Sequence, residues 1–177
     1  MSKTSLILHG HFYQPPRENP KTGIIPLQPS AAPWLDWNER IYSSCYCANL
    51  SSRYLDHNGR IISLTNNYAY ISFNFGATLL SWLDTHHPEV VDGLREADRM
   101  SIERLGHGNA MAQGFNHTIL PLDKKENAEL QIAWGVEDFI HHYKRDPEGM
   151  WLPECGVNET VIDLLVENGI KFIVLSP

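Results

Sequence analysis

Apolar positions along this chain follow two rhythms, short unbroken runs and longer stretches in which they recur every three or four residues. The short runs, at residues 5–9, 60–65, 70–73, 149–152 and 171–175, predict strands, the first and last of them buried. The spaced stretches predict helices. Over residues 37–56, Ile41, Cys45, Ala48, Ser52 and Leu55 fall at i, i+4, i+7, i+11 and i+14, a single stripe that Asn58-Gly59 would terminate. Residues 76–85 and 88–105 read as two more helices separated by Pro88. The clearest helix spans 124–145, where Ile132, Val136, Phe139, Ile140 and Tyr143 line one face. Asn158 is a good N-cap for a last helix carrying Val161, Leu164 and Leu165, closed by Asn168-Gly169. Residues 17–33, punctuated by proline and glycine, form a long loop, and residues 110–122 are mixed.

Short apolar strands alternating with amphipathic helices argue for βα units and a parallel sheet or barrel. Only four or five strands can be counted, against the ~8 of a closed parallel barrel. The last one runs straight into Ser176-Pro177, where a crossover helix is due. The expectation is an α/β fold, with residues 1–177 the N-terminal portion of a longer catalytic domain.

Composition narrows the partners. The 14 Lys and Arg against 21 Asp and Glu give a net charge of −7, and the basic residues are scattered. That argues against nucleic acid and does not conflict with a neutral, polyhydroxylated ligand. Three cysteines, Cys45, Cys47 and Cys155, make a poor disulfide framework and read as free thiols in a reducing compartment. The apolar run before His9 is too short for a signal peptide, and no stretch reaches the ~20 apolar residues of a membrane span. The chain is expected to be cytoplasmic, with no membrane contact.

Functional side chains of parallel sheets project from the C-terminal ends of the strands. Three segments have that position. In His9-Gly10-His11, alternation in an extended segment points both imidazoles to one side. That spacing suits metal binding and sugar hydroxyl binding alike, or one ring simply hydrogen-bonds the loop. The stretch from Gly106 to His117 offers His107 and His117 as site-lining groups or as structural histidines. In Trp151-Leu152-Pro153-Glu154, a glutamate leaves a buried strand beside a stiffening proline, and Trp151 supplies a flat face for a sugar ring; otherwise Glu154 is a surface charge near the following helix. His86, His87, His141 and His142 read as solvated, or as well placed near helix C-termini. Tyr42, Tyr46 and Tyr54 read as packing residues, and Cys155 as a buried thiol.

With these segments in view, the chain resembles the N-terminal part of glycoside hydrolase family 57. His9-Gly10-His11-Phe12-Tyr13-Gln14-Pro15 resembles the family's first motif, with Phe12-Tyr13 separating His11 from Gln14. The Gly106–His117 stretch resembles the second, and Trp151-Leu152-Pro153-Glu154-Cys155 the third, which carries the nucleophilic glutamate. Asn74-Phe75-Gly76 resembles the segment before an early helix. The resemblance implies a seven-stranded (β/α) barrel acting on α-glucans by a retaining mechanism, as hydrolase or transglycosylase, on an oligosaccharide or polysaccharide. Glu154 would be the nucleophile. His9, His11, Gln14, His107, His117 and Trp151 would line the substrate site, and the acid/base Asp would lie beyond residue 177. No cofactor or metal is implied, and the 177-residue piece alone would turn over little.

Two other readings stay open. A metal-dependent hydrolase or carbohydrate deacetylase could use His9 and His11, with His107, His117 and Glu154 completing a ligand set. A non-catalytic sugar-binding module is the third.

Overall fold

The computed structural model describes residue 4 and residues 6–176. Strand β1 (His9–Phe12) pairs in parallel with β4 (Ser72–Phe75), placing His9 opposite Ser72 and His11 opposite Asn74. Between them lie helix α1 (Trp37–Ile41), a π-helical turn (Tyr42–Tyr46), helix α2 (Cys47–Leu50) and the antiparallel hairpin of β2 (Ser52–Leu55) and β3 (Ile61–Thr65). The Asp36 carboxylate caps α1 by accepting from the Glu39 N–H at 3.0 Å.

The helix expected over 37–56 therefore stops at Leu50. Ser52 and Leu55, read as helical stripe positions, belong to β2 instead. Asn58-Gly59 is a hairpin turn, not a helix stop. Gly59 sits at φ 77°, and the Asp56 side chain accepts from the Asn58 and Arg60 N–H groups. A short polar–apolar alternation satisfies both periods, and local hairpin pairing decided it.

From β4 onward strands and helices alternate. Helix α3 (Ala77–His86) follows β4 directly, α4 (Pro88–Leu105) starts at its proline, and Gly106 at φ 82° ends it. Strand β5 (Ala112–Gln113) leads to α5 (Lys125–Tyr143), then β6 (Gly149–Trp151), α6 (Glu159–Glu167) and β7 (Phe172–Ile173). Strands β5, β6 and β7 pair in parallel in that order, and a parallel bridge from Phe73 to Ala110 joins β4 to the approach of β5. The core lies between this sheet and its helices, around Phe73, Leu79, Leu83, Leu94, Ile132, Met150 and Leu164. No helix among the described residues is long and apolar enough to cross a membrane.

Two strands read as buried are not. Leu6, Ile7 and Leu8 precede β1 and are exposed; Ser5, the start of that run, lies outside the described residues. Phe172 and Leu175 are also exposed. The reason is position: among the described residues β1 pairs only with β4 and β7 only with β6, so both run along sheet edges. Tyr54, expected to pack, is exposed on β2, and Cys155 is only partly buried.

One buried ion pair fixes α4 against the strand crossing. Arg145 grips Asp98 with Nε to Oδ2 at 2.7 Å and Nη2 to Oδ1 at 2.9 Å, while Asp98 also accepts from the Ala110 N–H at 2.8 Å. Removing one member of such a buried pair strands the other charge, which typically costs ~3–5 kcal/mol. Asp98→Ala is expected to lower unfolding stability by about that amount, measured as a fall in the urea midpoint at unchanged slope. A midpoint equal to wild type would contradict it.

Candidate active site

Parallel pairing of β1 with β4 puts four polar side chains, His9, His11, Ser72 and Asn74, on one side. Asn74 is fully buried and is the hub. Burial lowers the pKa of His9, so its ring is neutral at physiological pH. His9 Nε2–H donates to Asn74 Oδ1 at 3.0 Å, and His9 Nδ1 accepts from the Ser72 hydroxyl at 2.9 Å. The Asn74 amide then donates to His11 Nδ1 at 2.9 Å and to Gln113 Oε1.

These bonds set the tautomer of His11. Burial, then the neighbouring His117, push its pKa down to about 4. With Nδ1 accepting from Asn74, the proton sits on Nε2, which donates to His117 Nε2 at 3.2 Å. The His11 ring stacks on the Trp151 indole with centroids 3.6 Å apart, and Tyr13 lies 4.1 Å from the His117 ring. Four strands, β1, β4, β5 and β6, thus contribute to one cluster.

Gln113, almost fully buried, closes the inner side of the network, and its Nε2 has no hydrogen-bond partner among the described residues. It is tightly enclosed. A Cβ on Gly76 would lie 2.8 Å from Gln113 Nε2, and one on Gly135 would lie 2.0 Å from the Gln113 carbonyl oxygen. Gly135 is therefore required by close approach of backbone, while a side chain at 76 would displace the ends of Gln113 and Tyr13.

Beyond β6 the chain turns sharply through Pro153–Cys155. Glu154 and Cys155 both adopt left-handed backbone, at φ 55° and 54°. The Glu154 side chain is exposed at this turn. Non-glycine residues rarely take that conformation, and two in succession mark a place where the chain is bent against its own preference.

Of the residues singled out in the sequence, His9, His11, His117 and Trp151 come together, and Glu154 follows Trp151 by three positions on the same strand exit. Three readings change. Gln14 is tied into its own loop: its Nε2 donates to Tyr46 Oη at 3.2 Å, and its Oε1 accepts from Arg17 Nη2 at 2.7 Å. His107 is exposed at the opposite end of the sheet, because β5 splits the 106–117 stretch and leaves His107 before the strand and His117 after it. It lines a groove there with Gly106, Arg145, Glu148 and Lys171. Trp151 is only 9% exposed with one face taken by His11, so it supports that ring instead of offering an open platform.

Those placements also disperse the metal-ligand set considered for His9, His11, His107, His117 and Glu154. Both His9 nitrogens are bonded within the protein, and His107 is at the wrong end. Ser72 and Gln113 were not recognised as functional from sequence, nor was the hub role of Asn74. The usable signal was Ser72 and Asn74 at alternate positions of a buried strand, a polar pair on one face where apolar residues were due. The histidines read as solvated or as well placed near helix C-termini do lie at those termini, His86 in the last turn of α3 with His87 following it and His141 and His142 in the last turn of α5. But His87 also stacks on Tyr42 at 3.5 Å and bonds Glu39, and His142 is buried.

Comparison with known proteins decides the family. The model of glycosyl hydrolase family 57 matches residues 7–176. The chain belongs to glycosyl hydrolase family 57. It is 29% identical over 107 residues to alpha-amylase 1 of Dictyoglomus thermophilum, and 27% identical over 106 residues to the 4-alpha-glucanotransferase of Thermococcus litoralis. Each alignment covers 60% of this chain and 15% of the relative, so the chain corresponds to a small part of those family 57 proteins. The crystal structure of the T. litoralis glucanotransferase superposes with a TM-score of 0.62 at 19% identity, over 96% of this chain and 22% of that one. A branching enzyme from Thermococcus kodakaraensis gives 0.57 at 16% identity, over 94% and 39%. The fold described above is thus shared with these family 57 structures.

The depressed His11 pKa gives a signed expectation. The unfolded ring titrates near 6.5 and the folded ring near 4. Between those values the unfolded chain binds the extra proton. The contribution of this site to stability is therefore complete above pH 6.5 and declines as pH falls toward 4. Imidazole C–H resonances of His11 should titrate near 4, and His11→Phe should flatten the fall in urea midpoint across that window. A His11 midpoint at or above 6.5 would contradict the neutral assignment.

Proposed function

We propose that this chain is the N-terminal part of an α-glucan-active enzyme of retaining type, hydrolase or transglycosylase, with Glu154 as the nucleophile. The observation that carries the reading is the placement of Glu154. It sits in a left-handed turn just beyond β6, three residues after the tryptophan that stacks on His11. Strain of that kind, about 1–3 kcal/mol per residue, persists where surrounding structure over-determines it, and such places cluster at active sites. The amylase and glucanotransferase names of the family relatives support the substrate class.

In this reading Glu154 attacks the anomeric carbon and a glycosyl-enzyme intermediate forms. A second carboxyl group, ~5–5.5 Å from the first, protonates the leaving oxygen and later activates water. It is proposed to be the aspartate of the family's later motif, beyond residue 177. His11 and His117, both with ring nitrogens near the strand ends, would hold sugar hydroxyls, the neutral His11 turning its Nε2–H from His117 to a hydroxyl as the sugar enters. Trp151 and Asn74 would fix the angle of that ring, and His9 would anchor Asn74. The remaining sequence would supply strands beside β1 and β7, covering the apolar residues on both edges and closing a seven-stranded (β/α) barrel.

In the full-length protein, Glu154→Gln is expected to lower kcat on a linear α-glucan by more than ~10⁴-fold, the scale of losing a covalent nucleophile, with oligosaccharide binding retained. Rates near wild type would remove Glu154 from the role. Residues 1–177 alone should show little turnover, since acid–base assistance is commonly worth ~10²–10⁴-fold. Robust glucan cleavage by that piece would place the second carboxyl group within it.

A further inference from the structure

Helices α3 and α5 bring a second polar cluster together near their C-terminal ends. His142 is only 4% exposed. Its Nδ1 lies 2.8 Å from the Asp138 carbonyl oxygen, an atom that can only accept, so Nδ1 carries a proton. Its Nε2 lies 2.9 Å from Asp84 Oδ2. A neutral imidazole in that tautomer would turn a lone pair toward a carboxylate, which is repulsive. The contact needs a proton, on the ring or on the Asp84 carboxyl, or a metal ion between the two, and the Asp138 carboxylate stands 3.5 Å from Nδ1 on the other side of the ring.

The neighbouring residue favours the metal. His141 stands at 83° to the His142 ring with centroids 5.0 Å apart, and it brings a third ligand atom within 4.8 Å of the other two. An imidazolium–carboxylate pair has no use for that second imidazole. Among the described residues this is the group of three His, Cys, Asp or Glu side chains with such spacing. Two imidazoles and one carboxylate make the set that Zn²⁺ takes, with a fourth position left for water. The Asp138 carbonyl plays the part commonly seen behind a ligating histidine, holding the far N–H and so the tautomer. Asp84 and His141 are exposed, which gives the ion a way in.

We propose that Asp84, His141 and His142 form a divalent transition-metal site, suited to zinc, that clamps α3 to α5. It is distinct from the His11–His117 cluster: α5 runs back to the start of β6, so its C-terminal end lies at the opposite end of the sheet. Its role is to tie two helices, by binding the folded state and not the unfolded one.

The test uses the untagged full-length protein, stripped with chelator and titrated with ZnCl₂ by calorimetry, with Co²⁺ absorption reporting coordination geometry. Saturable zinc binding and a zinc-dependent rise in Tm are expected. His141→Ala and Asp84→Asn, both at exposed positions, should each weaken zinc binding by at least ~10-fold, because even partners behind the ligands are worth ~10–100-fold. Both should also remove the zinc-dependent rise, and His141→Ala, which leaves the Asp84–His142 contact intact, should keep the zinc-free Tm close to wild type. His11→Phe should change neither readout. No saturable uptake by wild type would leave a plain Asp84–His142 ion pair and overturn the proposal. Unchanged affinity in His141→Ala and Asp84→Asn would overturn it as well, as would binding lost in His11→Phe and kept in His141→Ala.

Discussion

The buried amide of Asn74 is the constraint on which the site depends. A side-chain amide taken wholly out of water must find partners for its oxygen and for both hydrogens, or the fold loses the full desolvation cost of each. Here those partners are His9, which donates to its oxygen, and His11 and Gln113, which accept from its nitrogen. One residue with no exposure of its own therefore decides which nitrogen of His11 carries a proton. That choice then decides what His11 offers to His117. The chemistry of an accessible ring is set by a group that no substrate can touch.

The same constraint explains what could be read from the sequence. His9 and His11 were legible because alternation in an extended segment is a strict rule, and the register with Ser72 and Asn74 carried them to one side. Glu154 was legible as a charge beside proline and tryptophan at a strand's end. The long helices α4 and α5 were legible from periodicity and from Pro88 and Gly106. What failed was whatever a one-dimensional pattern cannot separate. Ser52 and Leu55 satisfied a helical stripe and a hairpin strand equally well. Residues 106–117 read as one segment at a strand's exit because β5 is two residues long, too short to mark its own boundaries. His107 and His117 were therefore assigned to one end of the sheet when they belong to two. Gln14 was placed in the site by the motif resemblance, and its partners in this fold, Tyr46 and Arg17, could be known only from the folded loop.

Burial at the sheet edges shows a different kind of limit. Leu6, Ile7, Leu8 and Phe172 have the composition of interior residues, and the sequence rule that apolar runs are buried applies to them. Their exposure arises because β1 and β7 each have one strand neighbour among the described residues. A periodicity argument describes the environment for which a segment is suited, and the partner that completes that environment need not lie in the same stretch of chain. With the chain matching about one-seventh of its family relatives' length, the mismatch between suitability and exposure follows from the physics of parallel sheets, which are apolar on both faces.

The two ends of the sheet are built on opposite principles, and that contrast is an argument about function. At the C-terminal ends, hydrogen bonds run from Ser72 through His9, Asn74 and His11 to His117, glycines at 76 and 135 admit close contact, and the chain beyond β6 is forced into consecutive left-handed residues. A buried, cross-bonded network resists relaxing toward a new charge, and a strained turn holds its side chain only because its surroundings compel it. Groups held in this way are pre-organised, and reorganisation is the cost that pre-organised groups avoid when charge develops in a transition state. At the N-terminal ends, by contrast, the groove beside His107 is lined by Arg145, held on buried Asp98, and by the Glu148–Lys171 pair, a surface of ion pairs and not of neutral hydrogen-bonding groups. A reaction that needs fixed donors belongs at the first end.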